Sequence, residues 1–227
     1  MSVCIIPVFC NEKNMANYAY IIKSASATII IDAAEENPII KELENRNLTP
    51  THILTTHHHF DHVGGNEALK QKYNLKIVAP EKEFLKVPGA DIAAKEGEPL
   101  HIGDLTFDII SAPGHTLGHV LYYLKTENML FTGDVLFNLC VGGLFEGTVD
   151  QMAESLEKIK KLPDSTLIFP GHEYTREALT PNLVSNQKFA PYLEKMFKRE
   201  KGELAPTTLG EEKQFNPYLI ADNLRSL

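Results

Sequence analysis

Short apolar runs rich in Ile, Val and Tyr occur three times at the start of the chain, and polar turn residues separate them. The runs are SVCIIPVF (2–9), NYAYIIK (17–23) and TIIID (28–32). Runs of this length and composition with turns between them are typical of antiparallel strands. We therefore predict an antiparallel meander over the first 32 residues.

The spacing of apolar residues changes after the third run. Ile39, Ile40 and Leu43 follow Pro38 at helical spacing and predict a helix over 37–47. Further helices are predicted over about 65–74 and 150–161. The further predicted strands are HILTT (52–56), KIVAP (76–80), LTFDIISAPG (105–114), VLYYLKT (120–126), NMLFTGD (128–134) and TLIFPGH (166–172). This alternation in both halves predicts a layered α/β fold with helices outside a double sheet.

The pattern becomes helical after Tyr174. SNQKFAPYLEKMFKRE (185–200) has apolar residues at helical spacing, and a tail that reads as turn-rich follows it. A chain of 227 residues that is 43% hydrophobic can bury one substantial core. We predict a main domain over 1–172 and an α-helical C-terminal segment over 173–227.

Composition and charge exclude several classes of protein. The net charge of −8, with no basic block longer than KMFKREK (195–201), has the wrong sign for a protein that grips nucleic acid. Cys4, Cys10 and Cys140 show no C-x-x-C spacing, which suits a reducing compartment. The N-terminus lacks the features of a signal peptide, and no apolar run approaches the ~20 residues that span a bilayer. We expect a cytoplasmic protein without membrane or nucleic-acid partners, and a monomer.

The stretch TTHHHFDHVGG (55–65) places four histidines and an aspartate in six positions. If a strand leads into it, His57 and His59 point one way and His58 the other, so two imidazoles converge on one metal ion. Asp61 and His62 can supply an oxygen and a nitrogen to a second ion. The spacing therefore predicts a centre for two divalent metal ions, which zinc, iron or manganese can fill.

Three further ligand candidates each stand at the end of an apolar strand, beside a glycine. They are His115 in SAPGHTLGH, Asp134 in LFTGDVLF and His172 in LIFPGHEYT. Strand ends hold side chains rigidly, and a carboxylate can bridge two ions, whereas a neutral imidazole cannot. We assign one ion to His57, His59, His115 and Asp134, and the other to Asp61, His62, His172 and Asp134.

The other histidines and polar candidates have less specific interpretations. His119 either orients a ligand or packs in the core, and Asp32 is expected to support the site through a hydrogen bond. We expect His52 and His101 at the surface or at strand edges. Cys140 is predicted to be a small buried apolar residue.

The motifs THHHFDH, PGHTLGH, TGD and PGHEYT, in this order, resemble the metallo-β-lactamase superfamily. Within it, HHFDHVGGN, LFEGTVDQM, GHEYT and the tail PTTLGEEKQFNPYL resemble glyoxalase II, the hydroxyacylglutathione hydrolase. The resemblance implies an αββα sandwich with a binuclear metal site over 1–172 and a substrate-binding helical segment over 173–227. The implied reaction is hydrolysis of a 2-hydroxyacyl thioester such as S-lactoylglutathione.

This chemistry suits the residues independently of the resemblance. Metal binding lowers the pKa of water from 15.7 to about 7, so a hydroxide between two ions can attack a thioester near neutral pH. A thiolate leaves readily, so no serine or cysteine nucleophile is needed. Asp134 bridges the ions in this interpretation, and Asp61 could orient the attacking hydroxide as well as bind metal.

The chain departs from the glyoxalase II pattern where the family binds the glutathione carboxylates. The family's G-K-x-Y-E-G has Gly143 and Phe145 here in place of its Lys and Tyr, and Ile220 stands where another basic residue is usual. Tyr174, which matches the family's substrate tyrosine, is retained. Substitute charges could come from a set in the C-terminal segment: Lys188, Lys195, Lys198, Arg199 or Arg225. The alternative is that these residues form a solvated face.

Other functions remain open at this point. A mononuclear-iron persulfide dioxygenase of the same superfamily would use His57, His115 and Asp134 and leave the second set idle. A lactonase or another hydrolase of the superfamily is a further alternative. A non-catalytic binding protein would be expected to have lost ligands, and the full set is present.

Overall fold

A computed structural model of the chain describes residues 3–11, 15–185, 187–198 and 206–220, with the backbone alone at 182, 183 and 195–197. The first half forms a six-stranded sheet in which the strands follow one another in chain order. Its strands are β1 (Cys4–Cys10), β2 (Asn17–Lys23), β3 (Thr28–Ile31), β4 (His52–Leu54), β5 (Lys76–Pro80) and β6 (Ile92–Ala94). The first three pair antiparallel, as the meander predicts, and β3 to β6 pair parallel.

The second half forms another six-stranded sheet and a small hairpin. The strands are β7 (Leu100–Ile102), β8 (Leu105–Ser111), β9 (Val120–Leu124), β10 (Met129–Gly133), β11 (Leu136–Phe137), β12 (Cys140–Val141), β13 (Leu167–Pro170) and β14 (Thr207–Thr208). The sheet order is β14-β13-β10-β9-β8-β7, and β11 pairs with β12 in the hairpin. Only the pairing of β10 with β13 is parallel among the described strands of this sheet.

Helices pack on the outer face of each sheet, and others lie in the loops and in the tail. They are α1 (Glu36–Asn45), α2 (Phe60–Val63), α3 (Asn66–Tyr73), α4 (Val149–Lys160), α5 (Pro181–Ser185), α6 (Ala190–Phe197), α7 (Leu209–Phe215) and α8 (Pro217–Ile220), with a 3-10 turn at Glu81–Glu83. The predicted α1, α3 and α4 are confirmed within two residues at each end. A capping box between Thr148 and Gln151 fixes the start of α4. No helix of the described residues is long and apolar enough to cross a bilayer.

The main core lies between the two sheets. Tyr20 of β2 meets the rings of Phe131 and Phe169 from the second sheet edge-on, with centroids 5.4 and 5.5 Å apart. On the outer faces, Ile39 of α1 packs against the first sheet and Met152 of α4 against the second. The order of layers is helix, sheet, sheet, helix, so the predicted αββα sandwich is confirmed.

Residues 206–220 form a strand and two helices where the sequence pattern predicts turns. Thr207–Thr208 pairs with β13 and adds an edge strand to the second sheet. A capping box between Thr208 and Glu211 then starts α7, and Pro217 starts α8. The prediction of turns there is wrong because Thr208 and Pro217 suit the start of a helix as well as a turn. The division of the chain at residue 172 stays a prediction.

Glu212 of α7 is fully buried where the tail meets the β11–β12 hairpin. Its Oε2 accepts hydrogen bonds from the backbone N–H of Leu139, 3.0 Å away, and from Nδ2 of Asn216, 2.9 Å away. Leu139 has a φ of 66°, a conformation that is strained for a leucine, and the Glu212 contact helps to hold it. Burial raises the pKa of Glu212 to about 7.

This raised pKa predicts a specific dependence of stability on pH. The folded state keeps a proton on Glu212 up to about pH 7, whereas an unfolded glutamate loses it near pH 4.5, so the free energy of unfolding falls as the pH rises between these values. Glu212→Gln cannot ionise and should lack this fall. Denaturant unfolding should find the variant about 2–3 kcal/mol more stable than the wild type at pH 8, and within about 1 kcal/mol of it at pH 5.

Glu157→Gln, at an exposed position of α4, is the matched control and should leave the profile unchanged. A difference in stability between Glu212→Gln and wild type that stays constant from pH 5 to pH 8 would contradict the prediction.

Candidate metal centre

The predicted ligands come from loops that follow strand ends in both sheets. His57 and His59 follow β4, and α2 then carries Asp61 and His62. The second sheet supplies the rest: His115 after β8, Asp134 after β10 and His172 after β13. The structure brings all seven of these side chains together at one end of the sandwich.

The first group consists of His57, His59 and His115, whose ligand atoms lie within 4.8 Å of one another. His59 Nδ1 is 2.9 Å from His115 Nε2, so an imidazole from each sheet meets here. His57 and His115 are buried and His59 is partly exposed. The group is therefore open to solvent, and to a substrate, on the His59 side.

The second group consists of Asp61, His62 and His172, again with ligand atoms within 4.8 Å. His62 Nε2 is 3.2 Å from His172 Nε2, and His172 Nε2 is 3.3 Å from Asp61 Oδ2. All three side chains are buried. Two nitrogens and one oxygen thus converge on one point.

Asp134 lies between the two groups. Its Oδ2 is 3.4 Å from His115 Nε2 in the first group and 3.2 Å from His172 Nε2 in the second. Its Oδ1 is 3.2 Å from His62 Nε2. A carboxylate in this position can contact two ions at once, as the sequence predicts for a bridging ligand.

Hydrogen bonds to the outer ring nitrogens orient three of the imidazoles. Nδ1 of His62 contacts Asp32 Oδ2 at 3.0 Å, Nδ1 of His115 contacts the Gly143 carbonyl at 2.7 Å, and Nδ1 of His172 contacts the Met15 carbonyl at 2.7 Å. Carbonyl and carboxylate oxygens only accept, so each Nδ1 carries the proton and each neutral ring turns the lone pair of Nε2 into the centre. Nε2 of His62 and Nε2 of His172 lie 3.2 Å apart, so their lone pairs repel unless a proton or a metal ion lies between them.

Two buried polar atoms of the ligand side chains lack a hydrogen-bond partner among the described residues. They are His57 Nε2 and Asp134 Oδ1. Unpaired buried polar atoms are costly and uncommon in native proteins. Imidazole nitrogens and carboxylate oxygens are ligands for zinc and similar ions. The donor set therefore fits divalent metal ions.

Burial and neighbouring charges move the pKa values of the ligand side chains in different directions. Burial lowers the pKa of His57 well below its usual value, and the nearby His62 lowers it further, so His57 is neutral as a metal ligand must be. Burial also acts to lower the pKa of His62, but the carboxylates of Asp134 and Asp32 outweigh it and raise that pKa well above the usual value. Burial acts to raise the pKa of Asp134, but His62 and His172 hold it well below its usual range.

The polar residues with open interpretations also have defined places. His119 is fully buried, its ring stacks on His57 with centroids 4.8 Å apart, and its Nε2 accepts a hydrogen bond from the backbone N–H of Asp134 at 3.1 Å. Asp32 accepts from Thr56 as well as contacting His62. Both residues therefore support ligands. His52 and His101 lie in β4 and β7, away from the ligand groups.

Sequence reasoning missed several contacts that hold the ligands. Asn17 Nδ2 donates to the Oδ2 of Asp61, 3.0 Å away, and also to its backbone carbonyl. The carbonyls of Met15 and Gly143 orient His172 and His115. No local motif identifies Asn17, and a backbone carbonyl leaves no signal in the residue types.

Aromatic residues form the rim of the centre. The ring of Tyr174 stacks on His172, with centroids 4.8 Å apart and planes inclined by 7°. Phe145 is 73% exposed, and its ring centroid lies 5.4 Å from that of His59 and 5.1 Å from that of His115. A Cβ built on Gly143 would meet only the Phe145 ring, at 3.5 Å, so position 143 has room for a side chain.

Lys198, at the end of α6, is one of the proposed substitute cations that the structure describes. Lys198 pairs with Glu194 at 2.8 Å and is largely exposed, so the solvated-face interpretation suits it. Ile220 is 57% exposed. Arg199, Arg225 and the side chain of Lys195 lie outside the described residues.

An αββα sandwich with His and Asp groups at its strand ends defines a class of metal-dependent proteins. The family model of the metallo-β-lactamase superfamily matches residues 14–172, and the chain belongs to that superfamily. A hydroxyacylglutathione hydrolase of Mesorhizobium japonicum is 45% identical over 225 residues, covering 96% of this chain and 88% of that protein. The hydroxyacylglutathione hydrolase of Rhizobium meliloti is 43% identical over 213 residues, covering 90% and 83%.

Solved structures agree with the fold. The B3 metallo-β-lactamase BLEG-1 superposes with a TM-score of 0.77 at 25% identity, covering 96% of this chain and all (100%) of that one. ETHE1 from Myxococcus xanthus superposes with a TM-score of 0.73 at 25% identity, covering 95% and 84%. The resemblance to the superfamily and to glyoxalase II, predicted from the motifs, is confirmed by these matches.

The position of Asp134 between the groups predicts that its loss affects both ions. In Asp134→Ala, calorimetric titration of metal-free protein with zinc should show both binding steps weakened by more than about tenfold. Loss of a residue that only supports a ligand already lowers metal affinity by about tenfold or more, and Asp134 is itself a ligand. Asp108→Ala, at a partly exposed position of β8, is the control. Two ions held by Asp134→Ala with wild-type affinity would rule out a bridging role.

Proposed function

We propose that this protein hydrolyses 2-hydroxyacyl thioesters such as S-lactoylglutathione to a hydroxy acid and a free thiol, with two divalent metal ions, preferably zinc. The observation that carries the proposal is the complete pair of ligand groups on either side of Asp134. The relatives named hydroxyacylglutathione hydrolase, 45% and 43% identical over most of the chain, support the thioester as the substrate class.

The proposed assignment of ligands follows the two groups. One ion would be held by His57, His59, His115 and Asp134, and the other by Asp61, His62, His172 and Asp134. Bound there, divalent ions would supply a water with its pKa lowered to about 7 and a Lewis acid for the thioester carbonyl. Side chains of the site orient the water and bind the substrate.

Asp61 is suited to orient the attacking water. Burial acts to raise its pKa, but contacts with His172, His62 and Asn17 outweigh burial and lower it to about 2, so the carboxylate is ionised throughout the neutral range. Asn17 donates to its Oδ2 and holds the carboxylate in place. An ionised, fixed oxygen can accept a hydrogen bond from an O–H of the water. This contact orients the water so that a lone pair of its oxygen points at the carbonyl carbon.

The substrate side of the site consists of Tyr174, Phe145 and Gly143 in this proposal. Tyr174 covers His172, and Phe145 lies over His59 and His115 on the open side. Burial raises the pKa of Tyr174 to about 12, so its hydroxyl stays protonated and can donate to a substrate oxygen. The thiol half then lies against Phe145 and the space beside Gly143.

A persulfide dioxygenase with one iron is the less favoured alternative. It would use His57, His115 and Asp134 and leave Asp61 and His172 without a task. Yet Asn17 holds Asp61 and the Met15 carbonyl orients His172 as firmly as the first group is held. Such support favours a second ion.

The first experiment is a rate measurement on purified protein loaded in turn with zinc, iron and manganese. S-lactoylglutathione should be hydrolysed with saturation kinetics, and metal-free protein should be inactive. The rate with a thioester of the same acyl group and a smaller thiol shows whether glutathione is the thiol that the protein recognises. Failure on both esters by protein that holds two ions would refute the thioester proposal, and oxygen uptake with a persulfide would then favour the dioxygenase.

Gly143 stands where the family pattern has a lysine, which predicts that a cation added there improves glutathione binding. In Gly143→Lys, the ammonium group should pair with a glutathione carboxylate and lower KM for S-lactoylglutathione by about tenfold, because a hydrogen bond to a charged group contributes about 1.5–3 kcal/mol. The rate constant kcat should change little. Gln71→Lys, at an exposed position of α3, makes the same charge change away from the site and should leave KM unaltered. An unchanged KM in Gly143→Lys would refute this explanation.

A further inference from the structure

Glu83 lies in the 3-10 turn directly after β5, and its side chain is only 2% exposed. It is not a ligand in the centre described above. Buried glutamates are uncommon unless they are paired or hydrogen-bonded. The contacts of this carboxylate therefore show what it does.

Both oxygens of Glu83 are fully used, and they serve different loops. Oε1 accepts from Thr116 Oγ1 at 2.5 Å and from the backbone N–H of Gly118 at 2.9 Å. Oε2 accepts from the backbone N–H of His58 at 2.8 Å and lies 2.9 Å from His58 Nδ1. One carboxylate thus joins the loop after β4 to the loop between β8 and β9.

These two loops belong to different sheets and carry the first ligand group. His58 stands between His57 and His59, and Thr116 directly follows His115. His59 and His115 are the imidazoles that meet across the sheets, with Nδ1 of His59 2.9 Å from Nε2 of His115. A carboxylate that fixes the backbone beside each of them also fixes their separation, and metal ligands need such support to hold a coordination geometry.

The second group is held by other means. Asp61 is held by Asn17, His62 by Asp32, and His172 by the Met15 carbonyl. None of these contacts involves Glu83. A change at Glu83 should therefore act on one group and spare the other.

The packing around Glu83 leaves little freedom for another arrangement. A Cβ built on Gly118 would lie 2.4 Å from Glu83 Cγ, so a larger residue there would displace the carboxylate. Gly118 thus leaves the space that Glu83 fills. Substitution of either Gly118 or Glu83 should therefore disturb the contact between them.

His58, Glu83 and Glu146 also offer ligand atoms within 4.8 Å of one another, which raises the possibility of a third ion. Lys86 Nζ already lies 3.0 Å from Glu146 Oε1. Glu146 Oε2 accepts from the backbone N–H of Leu117, and both oxygens of Glu83 are used. The carboxylate oxygens of the cluster are therefore taken by protein donors, and the cluster serves as a tie between loops.

We propose that Glu83 is a positioning residue that sets the separation of His59 and His115 across the two sheets, and so the affinity of the first group for its ion. The proposal rests on the two-ion centre proposed above. It requires no role for Glu83 in the binding of substrate or in proton transfer.

The test is a zinc titration of metal-free protein, with a competing chelator to resolve the two binding steps. Glu83→Gln keeps the size of the side chain but puts a donor where an acceptor is needed, and Gly118→Ala displaces the carboxylate. In both variants one step should weaken by about tenfold or more, while the other stays within about twofold of wild type. Glu81→Gln, at an exposed neighbouring position, is the control and should change neither step.

A purely structural role would lower thermal stability without separating the two steps. Equal weakening of both steps, no change in either, or the loss of a third ion on substitution would each overturn the proposal. Thr116→Val removes one hydrogen bond to Oε1 and provides a milder variant if Glu83→Gln does not fold; it should show the same selective loss to a smaller degree.

The titration uses no substrate, so it separates this proposal from the proposed reaction. Wild-type protein that binds fewer than two ions would refute the proposed centre and the role of Glu83 with it. Two ions in the wild type with unchanged affinities in every variant would refute the role of Glu83 alone. Two ions without thioester hydrolysis would refute the reaction and leave the positioning role standing.

Discussion

The carboxylate of Asp134 is buried among imidazoles, and a buried negative charge is costly unless positive charge lies beside it. His62 and His172 can supply that charge only by taking a second proton on Nε2, since carboxylate and carbonyl oxygens already fix one proton on Nδ1, and a doubly protonated ring is not a metal ligand. Divalent cations satisfy the carboxylate and the lone pairs together. This requirement accounts for the orphaned atoms of His57 and Asp134.

The sandwich meets this requirement by bringing strand ends from two sheets to one place. Contacts between the sheets, such as those of Tyr20 with Phe131 and Phe169, fix how the ends face each other. The strands fix where each ligand-bearing loop begins. The loops themselves need local hydrogen bonds to hold the ligand side chains in place. Asp32, Asn17 and Glu83 provide these ties, so the precision of the centre depends on polar residues outside the ligand set.

Much of the fold and the ligand set could be predicted because their signals are local. The HHHFDH cluster, the glycines beside His115, Asp134 and His172, and the strand and helix periods all lie within short windows of sequence. The supporting contacts have no such signal, because they join residues far apart in the chain: Asn17 to Asp61, 44 positions on, and Met15 to His172, 157 positions on. The tail was misread for another reason, since Thr208 and Pro217 suit turns as well as helix starts.

The central claim is that one carboxylate is shared by two ions bound from both sheets. Anomalous difference maps from crystals grown with zinc, recorded on either side of the zinc absorption edge, test it directly. The account predicts two peaks about 3.5–4 Å apart, one beside His57, His59 and His115 and one beside Asp61, His62 and His172, with Asp134 touching both. A single peak, or two peaks without Asp134 between them, would contradict it.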